Sequence, residues 1–263
     1  SGEDIEAISK LYGFDRPMLI QYGDWLFSAL RGDFGESYYF RLPVASLIFE
    51  RLGVTMTLGV CGISFALLTA VPLGVAAAIR PNSIIDRVAL FLSVAGQAMP
   101  SFWFGLILIV LFAIKLGWLP PSGASSPAHF IMPTIVLGYY AMPAIMRLTR
   151  AGMLDVLSSD YIRTARAKGA PEGRILFRHA LRNAIIPVVS LAAVQMGFML
   201  GGSIVVESIF ALHGAGFLAW ESIARNDLPT VQALILVFSM FYIVFTFLAD
   251  VLNAWLDPRM RSS

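Results

Sequence analysis

The side chains best suited to chemistry in this sequence are its histidines, its serines, a few glycine clusters and one dense block of cations. His129, His179 and His213 are scattered, without the spacing that holds a metal ion. Ser64, Ser93 and Ser190 lie in apolar runs and His129 borders another, but no Gly-x-Ser-x-Gly elbow presents a serine nucleophile. Gly214-Ala215-Gly216 is too short for a dinucleotide fingerprint, and no Gly-x-x-x-x-Gly-Lys-Ser/Thr loop is present to cradle nucleotide phosphates. Spacing therefore assigns no catalytic residue, no metal ligand and no cofactor to this chain. The cations differ, because residues 147–182 concentrate eight of them. Such a block suits pairing with acidic groups on a partner protein. Its position between two apolar runs argues against nucleic acid, although basic charge alone would permit it.

The elements around that block are apolar to an unusual degree. The 263 residues are 57% hydrophobic and only 14% charged, with a mean hydropathy of +0.74; soluble domains carry about 25% charged residues. Five stretches lack charge altogether: Val54–Ile79, Val88–Ile114, Leu116–Met146, Asn183–Val206 and Leu228–Ala249. About 20 helical residues cross a hydrocarbon core of about 30 Å, so each stretch predicts one spanning helix, the third at about Phe130–Met146. The fold class is all-α, a polytopic transmembrane helical bundle. Cys61, the single cysteine, lies in the first run and forms no intramolecular disulfide.

Charge orients the bundle. With five spans, one face carries 80–87, 147–182 and the tail after Ala249, which together hold most of the arginines, while the short loops opposite hold Lys115 and Arg225. The basic face belongs in the cytoplasm. Residues 1–53 then lie outside, 54–256 form the membrane domain with its cytoplasmic loop 147–182, and 257–263 are a cytoplasmic tail. A polar outer segment that long implies a further spanning helix before Ser1, for six spans with both ends inside. Met18–Leu30 repeats apolar residues at helical spacing, and Trp118 stands where an interface anchor would.

Within the basic loop, Asp160–Lys168 reads as a helix ended by Gly169-Ala170-Pro171, and Glu172–Arg182 as a second helix leading into the fourth span. Gly169 is expected at φ > 0 or against a partner's backbone. Gln97 and Gln195 are polar groups at membrane depth, candidates for lining a solute path or for interhelical hydrogen bonds. Pro72, Pro100, Pro133, Pro143 and Pro187 lie in or near spans, where they either kink helices around a pathway or are absorbed in packing. Gly197, Gly201 and Gly202 read as close-packing positions.

Asp160-Tyr161-Ile162-Arg163-Thr164-Ala165-Arg166-Ala167-Lys168-Gly169, followed by Arg178-His179-Ala180-Leu181-Arg182-Asn183-Ala184-Ile185-Ile186-Pro187, resembles the cytoplasmic "EAA" loop of ABC importer permeases. The form is similar to the B-type subunit of dipeptide and oligopeptide permeases. Gln21-Tyr22-Gly23-Asp24-Trp25, Gly32-Asp33-Phe34-Gly35-Glu36-Ser37, Glu207-Ser208-Ile209-Phe210 and Gly214-Ala215-Gly216 are similar to other segments of that family. Aligned on Gly169, the Glu-Ala-Ala triplet falls on Arg163, Thr164 and Ala165, and the proline comes late, at Pro187.

The resemblance implies a type I ABC importer permease fold in the bacterial inner membrane. It also implies translocation of dipeptides, oligopeptides or peptide-like solutes such as glutathione, nickel chelates or opine-like compounds. Tyr161, Arg163, Thr164, Ala165, Arg166, Ala167, Lys168, Gly169 and Ala170 would contact an ATPase. The implied partners are a C-type permease paralogue, two ABC ATPase subunits that bind ATP and Mg, an extracytoplasmic solute-binding protein and membrane lipid. An intramembrane enzyme and a structural membrane assembly subunit are the alternatives.

Overall fold

The computed structural model describes residues 15–256, and the side chains of Gly96, Gln97 and Leu256 lie outside that description. Among the described residues regular structure is helical, apart from one isolated bridge between Glu36 and Pro43. The helices are α1 Met18–Leu30, α2 Val44–Ile79, α3 Ile84–Ala98, α4 Ser101–Lys115, α5 Ala128–Leu157, α6 Asp160–Ala167, α7 172–184, α8 Ile186–Phe210, α9 Ala215–Ala224 and α10 Leu228–Leu256. The second half of α4 (Ile109–Lys115) and the middle of α7 (Ile175–Ala180) are wound as π-helix.

Four helices, α2, α5, α8 and α10, are long and apolar enough to cross a membrane. The second expected span, Val88–Ile114, is not one helix. It is broken into α3 and α4 at Met99–Pro100, where both residues are extended (ψ 122° and 134°). Proline pushes the residue before it out of the helical region, and here nothing restores it. Asp86 of α3 pairs with Arg150 near the C-terminal end of α5, whereas Gly105 of α4 faces the Phe210 ring at the C-terminal end of α8. Pro72, Pro133 and Pro143, by contrast, sit inside continuous helices.

Two helices run past their expected limits. α2 begins at Val44, ten residues before the charge-free run, and 36 residues rise roughly 54 Å, well beyond the hydrocarbon layer. Its first turns therefore stand outside the apolar layer, with Arg51 3.5 Å from Glu221 of α9. α5 continues to Leu157, so the first part of the expected basic loop is helix, with Thr149 and Met153 buried.

The tightest seam joins α2 and α5. A Cβ on Gly138 would lie 2.5 Å from the Gly62 carbonyl oxygen, and one on Gly74 2.8 Å from the Met146 carbonyl oxygen. Glycine there removes the side chain that would hold the backbones apart. Leu58, Met132, Ile145 and Met146 fill the core beside it. Gly197 of α8 meets the Tyr242 ring of α10 in the same way, but Gly201 has open space around it, so only part of that glycine cluster is packing.

Candidate functional site

The basic loop folds into a helical hairpin built from α6 and α7. The turn that closes α6 is a Schellman motif: Ala170 N–H donates to the Ala165 carbonyl (3.1 Å) and Gly169 N–H to the Arg166 carbonyl (2.9 Å). That geometry requires a left-handed residue at the position after the cap, and Gly169 has φ +77°, as its sequence context predicts. A Cβ at Gly169 would meet nothing within 4 Å, so within this chain the demand is on the backbone angle and not on space.

The hairpin is anchored on one side and open on the other. Ile162 of α6 and Ile175 of α7 are fully buried. Asn183 Nδ2 donates to the Tyr161 hydroxyl at 2.9 Å, joining α6 to the last turn of α7. Arg163, Thr164, Arg166, Ala167, Lys168 and Gly169 are exposed, while Ala165 and Ala170 are half-buried.

The cations divide into two groups. Arg166 grips Glu172 across the turn (Nε–Oε1 2.9 Å), and that contact raises the guanidinium's pKa further above its ordinary value, so the charge is permanent. Arg163 lies 3.4 Å from Asp160 in its own helix, fully solvated and worth little. Lys168, Arg174, Arg178 and Arg182 are exposed and have no ion pair among the described residues. They, and not Arg166, are the cations open to a partner.

Arg150, toward the C-terminal end of α5, forms a second link. Its Nε and Nη2 donate to Asp86 Oδ1 and Oδ2 at 2.6 and 2.8 Å, and Asp86 also accepts from Asn82 N–H at 2.9 Å. Ser83 caps α3 by accepting from Asp86 N–H. One carboxylate thus joins α3, the turn after α2, and α5.

The two glutamines are not brought together by any described contact. Gln195 is half-buried on α8, next to Met196, whose side chain packs on Gly59 of α2. The backbone of Gln97 is helical close to the α3–α4 break, and its side chain lies outside the described residues. A cavity of about 1130 Å³ opens between the outer segment and α10, with Tyr22, Trp25, Tyr38, Gln232 and Ser239 on its walls; Gln195 does not line it.

The sequence assigns no role to two buried carboxylates, although Glu207 lies in one of the family-like segments. Glu207 accepts from the Thr55 hydroxyl (2.7 Å) and from Phe217 N–H (2.8 Å) at the start of α9. Gly214 and Gly216 make room for it, since a Cβ on either would lie 2.5 and 3.0 Å from carboxylate atoms. A helix N-terminus is where an anion is best satisfied. Asp227, fully buried before α10, accepts from Ser37 and Thr230 hydroxyls and from Tyr38 N–H. Spacing offers a local hint only for the second: Asp227 and Thr230 are an N-cap residue and its partner three positions on.

Comparison with known proteins places this architecture. The family described as "Binding-protein-dependent transport system inner membrane component" matches residues 70–262. The glutathione transport system permease protein GsiC of Escherichia coli (strain K12) is 41% identical over 257 residues, covering 98% of this chain and 84% of that protein. GsiC of Salmonella typhi is also 41% identical, over the same shares. Among solved structures, the inward-facing MetNI methionine ABC transporter aligns with a TM-score of 0.67 at 19% identity, over 80% of this chain and 96% of that one. An amino acid ABC transporter with histidines aligns at 0.61 and 16% identity, over 79% and 93%. Both likenesses are of fold.

Proposed function

The chain belongs to the binding-protein-dependent transport system inner membrane component family, as a permease subunit of an ABC importer; from that premise we propose that it carries peptides or peptide-like solutes inward and couples to separate ATPases through the α6–α7 hairpin. The observation supporting the solute class is the 41% identity, over nearly the whole chain, to a glutathione transport permease. Glutathione is a small peptide that shares an α-amide and a C-terminal carboxylate with di- and oligopeptides, although its γ-glutamyl linkage leaves one further carboxylate free.

In this reading α6 and its closing turn, residues 161 and 163–170, enter a cleft on an ATPase subunit. The small residues Ala165, Ala167, Gly169 and Ala170 let the helix approach closely, and exposed Lys168, Arg174 and Arg178 meet acidic groups there. Two such ATPases hold ATP and Mg. A C-type paralogue completes the passage, and a binding protein delivers solute to the outer face.

The test is uptake. The chain and its partner subunits are expressed in a host without its own peptide and glutathione uptake, and labelled glutathione, a dipeptide and methionine are offered separately. Entry of glutathione or the dipeptide, dependent on this chain, is expected. Entry of methionine alone would refute the solute class while leaving the family intact.

A further inference from the structure

The Arg150–Asp86 pair lies outside the hairpin and outside any solute path so far described, yet its geometry is unusually complete. Asp86 is only 2% exposed, and its carboxylate accepts three hydrogen bonds of 2.6–2.9 Å. A bidentate guanidinium–carboxylate fork fixes direction as well as distance, so the helices carrying the two partners are held in one relative orientation. The elements on either side of the pair explain what such a joint is for.

On the Arg150 side, α5 runs without interruption to Leu157. Ser158 and Ser159 are tied back to it by bonds to the Leu154 and Val156 carbonyls, and α6 begins at Asp160. A displacement of α6 therefore reaches the C-terminal end of α5 through a closely hydrogen-bonded turn, not through a slack loop. On the Asp86 side, α3 is a short rod that ends at the extended pair Met99–Pro100. Hinges are commonly a few element-terminal residues, and at Met99–Pro100 the proline fixes φ and leaves rotation about ψ. α4, beyond the break, is seated by Gly105 against the Phe210 ring.

We propose that Arg150 and Asp86 are positioning residues that convert movement of the hairpin into tilting of α3 about Met99–Pro100, with α4 held in place. This rests on the hairpin being the ATPase contact. The two-state element is the broken helix, and the ion pair is the grip by which α5 turns it.

The test uses the whole importer, with its partner permease, ATPases and binding protein, reconstituted in lipid. After Cys61→Ser, spin labels are placed on cysteines replacing Ile84 of α3 and Trp118 beyond α4, which are 81% and 70% exposed. ATP, Mg and vanadate serve as the probe, and the distance between the labels is read with and without them. The wild-type pair is expected to shift on vanadate trapping. In Asp86→Asn and Arg150→Gln the ATPases still trap vanadate but the shift is lost. In the exchanged pair, Asp86→Arg with Arg150→Asp, the shift returns.

An unchanged shift in the single variants, or none in the wild type, would overturn the proposal. If the single variants reduce the amount of complex, the exchanged pair decides: recovery of complex without recovery of the shift makes the link a mere staple and also overturns it. Failure of the hairpin reading shows differently, as ATPase retention that is indifferent to substitution at Gly169.

Discussion

Gly169 allows the hairpin assignment to be tested at a single atom. Its φ of +77° costs an L-residue about 1–2 kcal/mol, whereas asparagine visits this region far more readily than other side chains. Because a Cβ at this position meets nothing in the chain within 4 Å, the folded subunit adds no clash to that figure. Backbone strain alone therefore predicts an ordered series. Gly169→Asn stays close to wild type, Gly169→Ala weakens the closed turn by about 1 kcal/mol, and Gly169→Val reaches about 2 kcal/mol. An energy of 1–2 kcal/mol is about 5–30-fold in an equilibrium, large enough to read as a shift in ATPase affinity.

A partner's backbone seated against Gly169 predicts a different order, because any side chain then intrudes and Asn fails with the others. The assay is ATPase retention on washed membranes, titrated with added ATPase, alongside solute uptake in the same membranes. Amounts of this subunit should be equal in all four versions, since the turn lies outside the spans. Wild-type retention and uptake in the Val variant would refute both the strain argument and the placement of Gly169 at the contact.

Two further outcomes follow from the packing. Gly138→Ala puts a methyl 2.5 Å from the Gly62 carbonyl oxygen and 2.8 Å from the Phe65 ring, and overpacking of this kind costs about 1–3 kcal/mol, so the membrane level of the subunit should fall; Gly201→Ala, with open space around it, should leave the level unchanged. Asp227→Ala removes the acceptor used by the Ser37 and Thr230 hydroxyls and by the Tyr38 amide, a loss on the order of 3 kcal/mol. Limited proteolysis from the outer side should then cut residues 15–43 faster, while Asp227→Asn, which keeps an acceptor oxygen, should be cut at an intermediate rate.

What the sequence made legible followed local rules. The apolar runs located the long helices, and glycine followed by proline marked the hairpin turn and even the sign of φ at Gly169. Charge-free length was a poorer guide to helix ends: the run begins at Val54, but α2 starts ten residues earlier and passes through Glu50, which is exposed, and Arg51, which lies against Glu221 of α9. The Met99–Pro100 break was hidden as well. Proline is compatible with a long helix at 72, 133 and 143 and not at 100, and only tertiary packing distinguishes these cases. The polar links were least visible. Asp86 and Arg150 are 64 positions apart, and Ser37 and Asp227 190, so no window along the chain contains both partners.

The glycine seam between α2 and α5 also sets an order of events during synthesis. The two helices that meet at Gly62 and Gly138 are separated by residues 80–127, which carry the whole of the broken helix. At a translation rate of about 5–20 residues per second, roughly 50 residues take about 3–10 seconds to make. For that interval α2 waits in the membrane with its glycine face turned to lipid, lacking the helix whose close approach satisfies it. The nascent subunit is thus most open to membrane proteases and mispairing before α5 arrives. Substitutions along this seam should act there first, shortening the lifetime of the newborn chain before they alter the finished transporter.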